Sequence, residues 1–288
     1  MKVGVVFPQT EIGQDAGGVR ALAQATEALG YDHLLAYDHV LGANTASRPD
    51  WRGPYTSDSN FHEIFVLFAY IAGFTESIEL VSGVLILPQR QTVLVAKQAA
   101  SIDRLSNGRL RLGIGVGWND VEYVGLNENF NDRGQRSEEQ ITVMRRLWTN
   151  EVVEFEGRWH HVPDAGIKPL PVQQPIPVWI GGYVEATLRR IGRIGDGWFP
   201  GGQPGDKLNQ DLETIATAAR GAGRDPAEIG MEGRINLIQI PEEGWQAATE
   251  AWRQAGASHL SVVTMGGQLG PDGHIELIRK YRAAIDSW

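Results

Sequence analysis

Residues 110–117 read Leu-Arg-Leu-Gly-Ile-Gly-Val-Gly, an apolar run with glycine at every second position from Gly113 to Gly117. Side chains of a β-strand alternate between its two faces, so these three glycines lie on one face. A dinucleotide-binding sheet instead has Gly-x-Gly-x-x-Gly leading into a helix. The stretch therefore indicates a strand that leaves room on one face for a flat ring or a bulky neighbour, and it disfavours an open doubly wound sheet.

Short β-branched strands, each followed by a segment with helical spacing, precede and follow this stretch. The predicted strands are residues 3–7, 33–37, 78–87, 110–116, 176–180, 197–199, 233–240 and 259–264. The predicted helices are residues 19–29, 61–74, 93–105, 134–148, 185–193, 208–220, 244–254 and 275–285. Eight strand-and-helix pairs with buried strands predict an α/β fold of the (β/α)8 TIM barrel type.

The stretch after the fourth strand breaks the regular alternation. Residues 119–175 are irregular and form a predicted insertion, which contains the helix at 134–148 and a segment at 154–159 that suggests a hairpin. No change of composition divides the chain elsewhere. We therefore expect a single barrel domain over residues 1–288 with one insertion after strand four.

Composition excludes several classes of function. The chain has 288 residues, 35 glycines, no cysteine and a formal net charge of −9. Without cysteine there is no disulfide, iron–sulfur cluster, thiolate metal site or cysteine nucleophile, so redox chemistry requires a bound cofactor. The negative charge argues against nucleic acid and anionic membranes as partners. No apolar run is long enough for a signal peptide or a membrane span, and we expect a soluble, cytoplasmic protein.

The functional groups of a TIM barrel lie at the carboxyl ends of its strands. Asp38 and His39 follow strand two. Histidine has an unperturbed pKa near neutrality, so His39 is a candidate general acid or base, with a hydrogen-bonded core histidine as the alternative. The other histidines have no metal-ligand spacing, so we predict no metal site, and a metal-dependent hydrolase is the least favoured function.

Two glycine pairs mark the ends of neighbouring late strands. Gly181 and Gly182 lead directly into a helix, and Gly201 and Gly202 follow the next strand. Free backbone amides at a helix N-terminus favour an anion, so the pairs predict a phosphate site, with simple tight turns as the alternative. Trp118 ends strand four and is a candidate for the pocket wall, with core packing as its alternative.

Eight short motifs follow one another along nearly the whole chain. They are YDHV at 37–40, IELVSGVLILP at 78–88, VAKQAA at 95–100, LSNGRL at 105–110, GIGVGWN at 113–119, KP at 168–169, WIGG at 179–182 and GDGW at 195–198. In this order and spacing the chain resembles the luciferase-like flavin and deazaflavin oxidoreductases, and within them the coenzyme F420-dependent branch. The resemblance implies a (β/α)8 barrel with an insertion region.

The resemblance also implies a coenzyme site at the barrel mouth. A non-prolyl cis peptide would join Gly83 to Val84, or alternatively Ser82 to Gly83, and Val84 would press on the ring face opposite the substrate. Asp38 would contact the ring, and His39 would donate or accept a proton, which makes both candidate catalytic residues. The implied coenzyme-binding residues are Asp38, Ser82, Gly83, Val84, Gly115, Gly117, Trp118, Gly181, Gly182, Gly201 and Gly202.

The implied function is hydride transfer between coenzyme F420 and an organic small molecule, which the sequence leaves unidentified. An FMN-dependent monooxygenase is the first alternative, and a non-catalytic flavin- or deazaflavin-binding protein is the second. The resemblance further implies a homodimer. The chain departs from the family's sugar-phosphate dehydrogenases, which have a tryptophan and an acid where this chain has Ala43 and Trp118.

Overall fold

Eight parallel strands close into a barrel in the computed structural model, which describes residues 1–286. Residues 1–286 contain eleven strands in all, and eight of them form the ring. They are β1 Lys2–Val6, β2 His33–Ala36, β3 Glu79–Ser82, β4 Leu85–Ile86, β5 Leu110–Gly115, β6 Val153–Glu156, β7 His161–Ala165, β8 Val178–Gly181, β9 Gly197–Phe199, β10 Gly230–Asn236 and β11 His259–Val263. The order around the barrel is β1, β2, β3, β5, β8, β9, β10 and β11, and the β3–β5 and β1–β11 pairings complete the ring. The predicted TIM barrel is confirmed.

Helices follow the strands in sequence and cover the outside of the barrel. They are α1 Gln9–Ile12, α2 Ala16–Ala28, α3 Ile64–Ala72, α4 Thr92–Leu105, α5 Asp120–Gly125, α6 Arg133–Thr149, α7 Glu185–Ile194, α8 Asp206–Gly221, α9 Trp245–Gln254 and α10 Pro271–Asp286. Each predicted helix has a counterpart whose ends differ by a few residues. Within residues 1–286, none of these helices is both long and apolar enough to cross a membrane.

The third strand is interrupted, which corrects the continuous strand predicted at 78–87. Leu80 of β3 pairs with Leu110, and Leu85 of β4 pairs with Ile114, so five steps along strand three face four along β5. One extra residue is therefore accommodated as a bulge at the barrel mouth. The peptide bond between Gly83 and Val84 is cis, which is the first of the two positions that the resemblance implied for this bond.

The predicted insertion needs a narrower definition. Helix α6 takes the place of the fourth barrel helix, because it packs beside α4, where Trp148 donates to the Ala96 carbonyl at 2.9 Å, and beside α7, where Arg190 donates to Glu138 at 3.0 Å. The additional chain is α5 before it and the β6–β7 hairpin after it. The hairpin turn falls at residues 157–160 and overlaps the predicted 154–159 segment. The Glu139 carboxylate accepts from two amides of this turn.

Two layers of side chains fill the barrel below its mouth. The lower layer is polar: Arg111 contacts Glu232 at 2.6 Å and Glu79 at 3.0 Å, and His33 contacts Glu232 at 3.0 Å. Gly4 makes room for this layer, because a Cβ there would lie 2.2 Å from the His33 ring. The upper layer is apolar and consists of Val6, Leu35, Val81, Trp179 and Phe199. This packing leaves open space only at the carboxyl ends of the strands.

Candidate active site

A cavity of about 600 Å³ opens at the carboxyl ends of the barrel strands. This volume lies in the usual range for small-molecule and cofactor sites. Its lining comes from the end of β2 and the loop that follows it, the bulge, the end of β5, the segment from Phe130 to the start of α6, the start of α7, and β10. The lining residues are Tyr37, Asp38, His39, Tyr55, Gly83, Val84, Ile86, Gly115, Val116, Gly117, Trp118, Phe130, Arg133, Gly181, Gly182, Tyr183, Val184, Thr187 and Arg234.

Most of the site residues expected from the sequence lie in this one cavity. Those that line it are Asp38, His39, Gly83, Val84, Gly115, Gly117, Trp118, Gly181 and Gly182. Ser82 lies outside the cavity lining, and its hydroxyl donates to the Gly113 carbonyl at 2.8 Å. Gly201 and Gly202 line a neighbouring hollow of about 240 Å³ that also contains Lys207 and shares Tyr183 with the main cavity.

The glycines of β5 and β8 make room for the bulge. A Cβ on Gly115 would lie 2.5 Å from Val84 Cγ2, and one on Gly181 would lie 2.8 Å from Val84 Cγ1. A Cβ on Gly113 would lie 1.9 Å from the Ser82 carbonyl oxygen. The alternating glycines therefore allow Val84 to sit between two strands at the cavity wall. This arrangement fits a flat ring packed against Val84, because the glycines place no side chains of their own beside Val84 at the cavity wall.

His39 presents its two ring nitrogens to different surroundings. Its Nδ1 lies 3.1 Å from Glu122 Oε1, whereas Nε2 has no hydrogen-bond partner within residues 1–286. The ring is enclosed by Tyr55 and Phe61, each with a centroid 4.8 Å away, and by Trp118 at 5.7 Å. The carboxylate fixes the imidazole orientation, so that Nε2 is available for proton transfer in the cavity.

Glu122 is a candidate functional residue that the sequence analysis missed. Its side chain is 1% exposed and accepts hydrogen bonds from the amides of Val40 at 2.7 Å and Leu41 at 3.2 Å and from Gln89 at 3.2 Å. Burial alone would raise the pKa of Glu122, but the hydrogen bond and charge of His39, together with the two amides, lower it. A sequence signal existed, because Asn119 caps a helix whose first turn contains Glu122 directly after strand four.

Both oxygens of the Asp38 carboxylate are hydrogen-bonded to groups of the protein. It is fully buried, accepts from Arg90 at 2.8 Å and from the Ile86 amide at 3.1 Å, and Arg90 also binds Glu63 at 2.7 Å. Burial raises the pKa of Asp38, against the lowering effect of Arg90. These contacts attach the strand that follows the bulge to the end of β2 and the start of α3. Asp38 lines the cavity, and its carboxylate oxygens point to the bulge.

The start of α7 provides hydrogen-bond donors for an anion. The amides of Glu185 and Ala186 have no acceptor within residues 1–286, as is usual in the first turn of a helix. Gly182 has a φ of 142°, a conformation that favours glycine, and its carbonyl is held by Trp198 Nε1 at 2.8 Å. The cavity contains a cation here that was not predicted, Arg133 at the start of α6.

Arg133 has no acidic partner in the part of the chain that the structure describes. Its guanidinium lies 3.6 Å from the Phe130 ring centroid and donates to the Phe130 carbonyl at 2.6 Å, while Nε is buried without a partner. Gly134, the next residue, lies beside α7, because a Cβ there would be 3.2 Å from Arg190 Nη2. The Arg133 guanidinium adds positive charge to the cavity that residues around the start of α7 also line.

The described residues contain no group of three or more histidine, aspartate or glutamate side chains able to hold a metal ion. The polar side chains that line the cavity are instead those of Asp38, His39, Thr187, Arg133, Arg234 and three tyrosines. Such a set suits an organic coenzyme with a flat ring and an anionic group, beside a second small molecule.

Comparison with known proteins agrees with the fold. The family model for luciferase-like monooxygenases matches residues 1–283, and the chain belongs to this family. The uncharacterised protein Rv0940c of Mycobacterium tuberculosis is 36% identical over 219 residues, which cover 72% of this chain and 74% of that protein. Members of the family are oxidoreductases and monooxygenases that act on small molecules.

Relatives with named activities use two different coenzymes. The F420-dependent hydroxymycolic acid dehydrogenase of M. tuberculosis is 28% identical over 256 residues, covering 87% of this chain and 66% of that protein. The FMNH2-dependent dimethylsulfone monooxygenase of Pseudomonas putida is 26% identical over 262 residues, covering 88% and 68%. This chain is therefore a member of a family in which both deazaflavin and flavin coenzymes occur.

Solved structures with low sequence identity share the fold. The monooxygenase RslO1 from Streptomyces bottropensis superposes with a TM-score of 0.77 at 20% identity and covers 100% of this chain and 99% of its own. The coenzyme F420-dependent tetrahydromethanopterin reductase from Methanopyrus kandleri gives 0.74 at 15% identity, with 96% and 97% covered.

Proposed function

We propose that the protein is a coenzyme F420-dependent oxidoreductase that transfers a hydride between the deazaflavin and an organic substrate. The observation that carries the proposal is His39, whose Nδ1 is held by Glu122 while Nε2 has no protein partner at the cavity wall. When bound, the coenzyme supplies or takes up a hydride, which leaves one proton to be moved by the protein. A histidine held in this way is suited to moving that proton.

The residues present fit the coenzyme in two places. Val84 would pack against one face of the ring, in the space that Gly115 and Gly181 keep open. The amides at the start of α7 and the Arg133 guanidinium would bind the phosphate. These local donors are needed because the chain as a whole carries a net charge of −9, which disfavours an anionic ligand.

His39 would exchange the proton through Nε2. In substrate reduction the imidazolium gives its proton to the substrate oxygen as the hydride arrives at carbon, and in oxidation the neutral ring accepts the proton. Glu122 stabilises the protonated ring and fixes its orientation throughout. The aromatic side chains around the His39 imidazole restrict access of water to it; they are Tyr55, Phe61 and Trp118.

Titration of the coenzyme-free protein with F420 and, separately, with FMN tests the proposal. We expect quenching of coenzyme fluorescence with at least tenfold tighter binding of F420. His39→Ala should lower turnover about 10²- to 10⁴-fold and leave the F420 dissociation constant nearly unchanged. His161→Ala, on the exposed hairpin, is the matched control. Full turnover by the His39 variant would remove this residue from the mechanism.

An FMN-dependent monooxygenase is the second candidate, favoured by the similarity to the dimethylsulfone monooxygenase. Tighter binding of FMN than of F420, with consumption of oxygen by the reduced flavin complex, would support it in place of our proposal. Tight binding of F420 without oxidation of the reduced coenzyme across a substrate panel would support a third candidate, a non-catalytic coenzyme-binding protein.

We further propose that the enzyme acts as a homodimer in the cytoplasm, as the family resemblance implies. Analytical ultracentrifugation of the purified protein at micromolar concentration tests the first part, with a sedimentation coefficient for twice the chain mass expected. Fractionation of the host cells tests the second part.

A further inference from the structure

Arg234 is a second cation in the cavity without an acidic partner. It lies on β10, two residues beyond Glu232, so both side chains are on the face of the strand that points into the barrel. Arg234 Nη1 donates to the Tyr37 hydroxyl at 3.3 Å, and no ion pair joins Arg234 to an acid within residues 1–286. The nearest acid along the strand, Glu232, is already paired with Arg111 and His33.

The two unpaired arginines come from different elements. Arg133 begins α6 and packs on Phe130, whereas Arg234 lies on β10 and contacts Tyr37 at the end of β2. In the proposed function the phosphate binds Arg133 and the amides at the start of α7. Arg234 is therefore left for a second anionic group in the same cavity.

Two hydroxyl groups accompany the Arg234 guanidinium. Tyr37 contacts it directly, and Tyr55 lies close enough to both for their charges to act on its hydroxyl. Burial raises the pKa of Tyr55 to about 12, so the hydroxyl stays protonated and can donate a hydrogen bond. Tyr55 also packs against His39 at 4.8 Å. The anion-binding groups and the proton-transfer group thus share one part of the cavity.

We propose that the substrate is a small organic acid whose carboxylate binds Arg234, assisted by the tyrosine hydroxyls, while its reacting carbon faces His39. The inference rests on the proposed function. A single guanidinium balances one negative charge and matches the two oxygens of a carboxylate, whereas a phosphate dianion would retain an unbalanced charge. A neutral substrate would leave the guanidinium without an ionic partner in the cavity.

Binding of matched carboxylate and amide pairs tests the inference without a known substrate. The probes are acetate, hexanoate, benzoate and phenylacetate, each with its primary amide, together with phenyl phosphate. Calorimetry and ligand-detected NMR give their affinities for the coenzyme-free protein and for the protein saturated with coenzyme. We expect at least one carboxylate to bind ten times or more tighter than its amide and tighter than phenyl phosphate.

Substitution of Arg234 tests whether this residue causes the preference for carboxylates over amides. Arg234→Met should abolish the carboxylate preference, Arg234→Lys should retain part of it, and Tyr37→Phe should weaken it a few-fold. Arg220→Met, on the exposed face of α8, is the matched control and should leave it unchanged. Circular dichroism and thermal unfolding establish that each variant is folded. If Arg234→Met is unfolded, Arg234→Lys still tests the inference.

The inference would be overturned if no carboxylate were preferred over its amide, if the preference were unchanged in both Arg234 variants, or if Arg234→Met lost coenzyme binding with carboxylate binding intact. The last would assign Arg234 to the coenzyme. Stronger binding of phenyl phosphate than of every carboxylate would also overturn the substrate class. Failure of the proposed function is separate, because the wild-type protein would then bind FMN more tightly than F420, or bind F420 without oxidising the reduced coenzyme, while its carboxylate preference remained measurable.

Discussion

Glu122 is the residue through which the chain holds its candidate proton-transfer group. It contacts Nδ1 of His39 and two amides of the loop that follows His39, so it fixes both the ring and the loop. Such a carboxylate favours the orientation and charge state of the imidazole without touching the substrate. It is a positioning residue in this proposal.

Glu122→Gln separates positioning from simple stability. The amide oxygen of glutamine can still accept from the Val40 and Leu41 amides, whereas its charge is lost beside His39. We expect kcat to fall about 10²-fold, with the coenzyme dissociation constant and KM nearly unchanged. Steady-state kinetics and fluorescence titration measure these quantities. Equal losses in kcat and in coenzyme binding would show that the residue acts only through the fold.

Gly115 allows the close packing of Val84. In Gly115→Ala the new methyl group would lie 2.5 Å from Val84 Cγ2 and displace it. We expect coenzyme affinity to fall at least tenfold and stability to fall by about 1–3 kcal/mol, the usual cost of overpacking. Gly221→Ala is the control, because nothing lies within 4 Å of a Cβ there. Coenzyme affinity equal to wild type in Gly115→Ala would contradict the role given to Val84.

At the scale of elements, Arg90 joins three parts of the barrel mouth. It binds Asp38 at the end of β2 and Glu63 at the start of α3, and it directly follows the short helical turn after β4. Because Asp38 is fully buried, its charge depends on this partner. The bulge and the loop that carries His39 are thereby attached to each other.

Arg90→Met should destabilise the protein by about 3–5 kcal/mol, because it leaves the Asp38 carboxylate buried without its cation. Arg189→Met, which removes an exposed pair with Glu185 on α7, should cost less than about 1 kcal/mol. Urea denaturation followed by circular dichroism measures both. Similar stabilities for the two variants would mean that Asp38 is held mainly by its other contacts.

The regular elements could be predicted from the sequence, because strands and helices have different apolar periods. The bulge could not be located by pattern alone, since residues 78–87 are mostly apolar and a Ser-Gly pair such as Ser82 and Gly83 also occurs within uninterrupted strands; its place came from the family resemblance. Arg234 was missed for a related reason. The strand predicted at 233–240 begins after Glu232. The alternation of Glu232, Arg234 and Asn236 on one face is therefore visible only when β10 begins at Gly230.

Glu122 and Arg133 were missed because they lie on helices, in α5 and at the first residue of α6. Neither residue belongs to a barrel strand, and their approach to His39 and to α7 depends on long-range packing that a local pattern does not contain. In contrast, the glycines were recognised, but their use was only partly anticipated. Gly113, Gly115 and Gly181 accommodate protein atoms of the bulge, so their contribution to a ring site is indirect.

At the scale of the whole molecule, the polar layer inside the barrel makes stability depend on pH. Burial, together with the charge of Arg111, lowers the pKa of His259 to about 3, from a value near 6.5 in the unfolded chain. Between these values the unfolded state binds a proton that the folded state does not, so stability falls as the pH falls. The pKa of Glu232 is also lowered, mainly by His33 and Arg111 against the effect of burial, which adds a further loss below about pH 4.3.

His259→Phe tests this pH dependence. The phenyl ring can keep the packing on Trp179, whose centroid lies 4.9 Å away, but it cannot bind a proton. Between pH 6.5 and 5 the free energy of unfolding should fall less steeply than in the wild type, by up to about 1.4 kcal/mol per pH unit, the limit for one proton. Urea denaturation at a series of pH values measures both slopes. Parallel slopes would show that His259 does not contribute.

The two unpaired guanidinium groups stand in a molecule whose net charge is −9, and this contrast affects the rate at which ligands arrive. An anionic coenzyme is repelled at long range and attracted only inside the cavity. Salt shortens the long-range repulsion to about 10 Å at 0.1 M, while contacts within the cavity are screened much less. The association rate constant for F420, measured by stopped flow, should therefore rise between 20 and about 200 mM salt. A falling rate constant would mean that the mouth of the cavity, and not the molecule as a whole, governs the encounter.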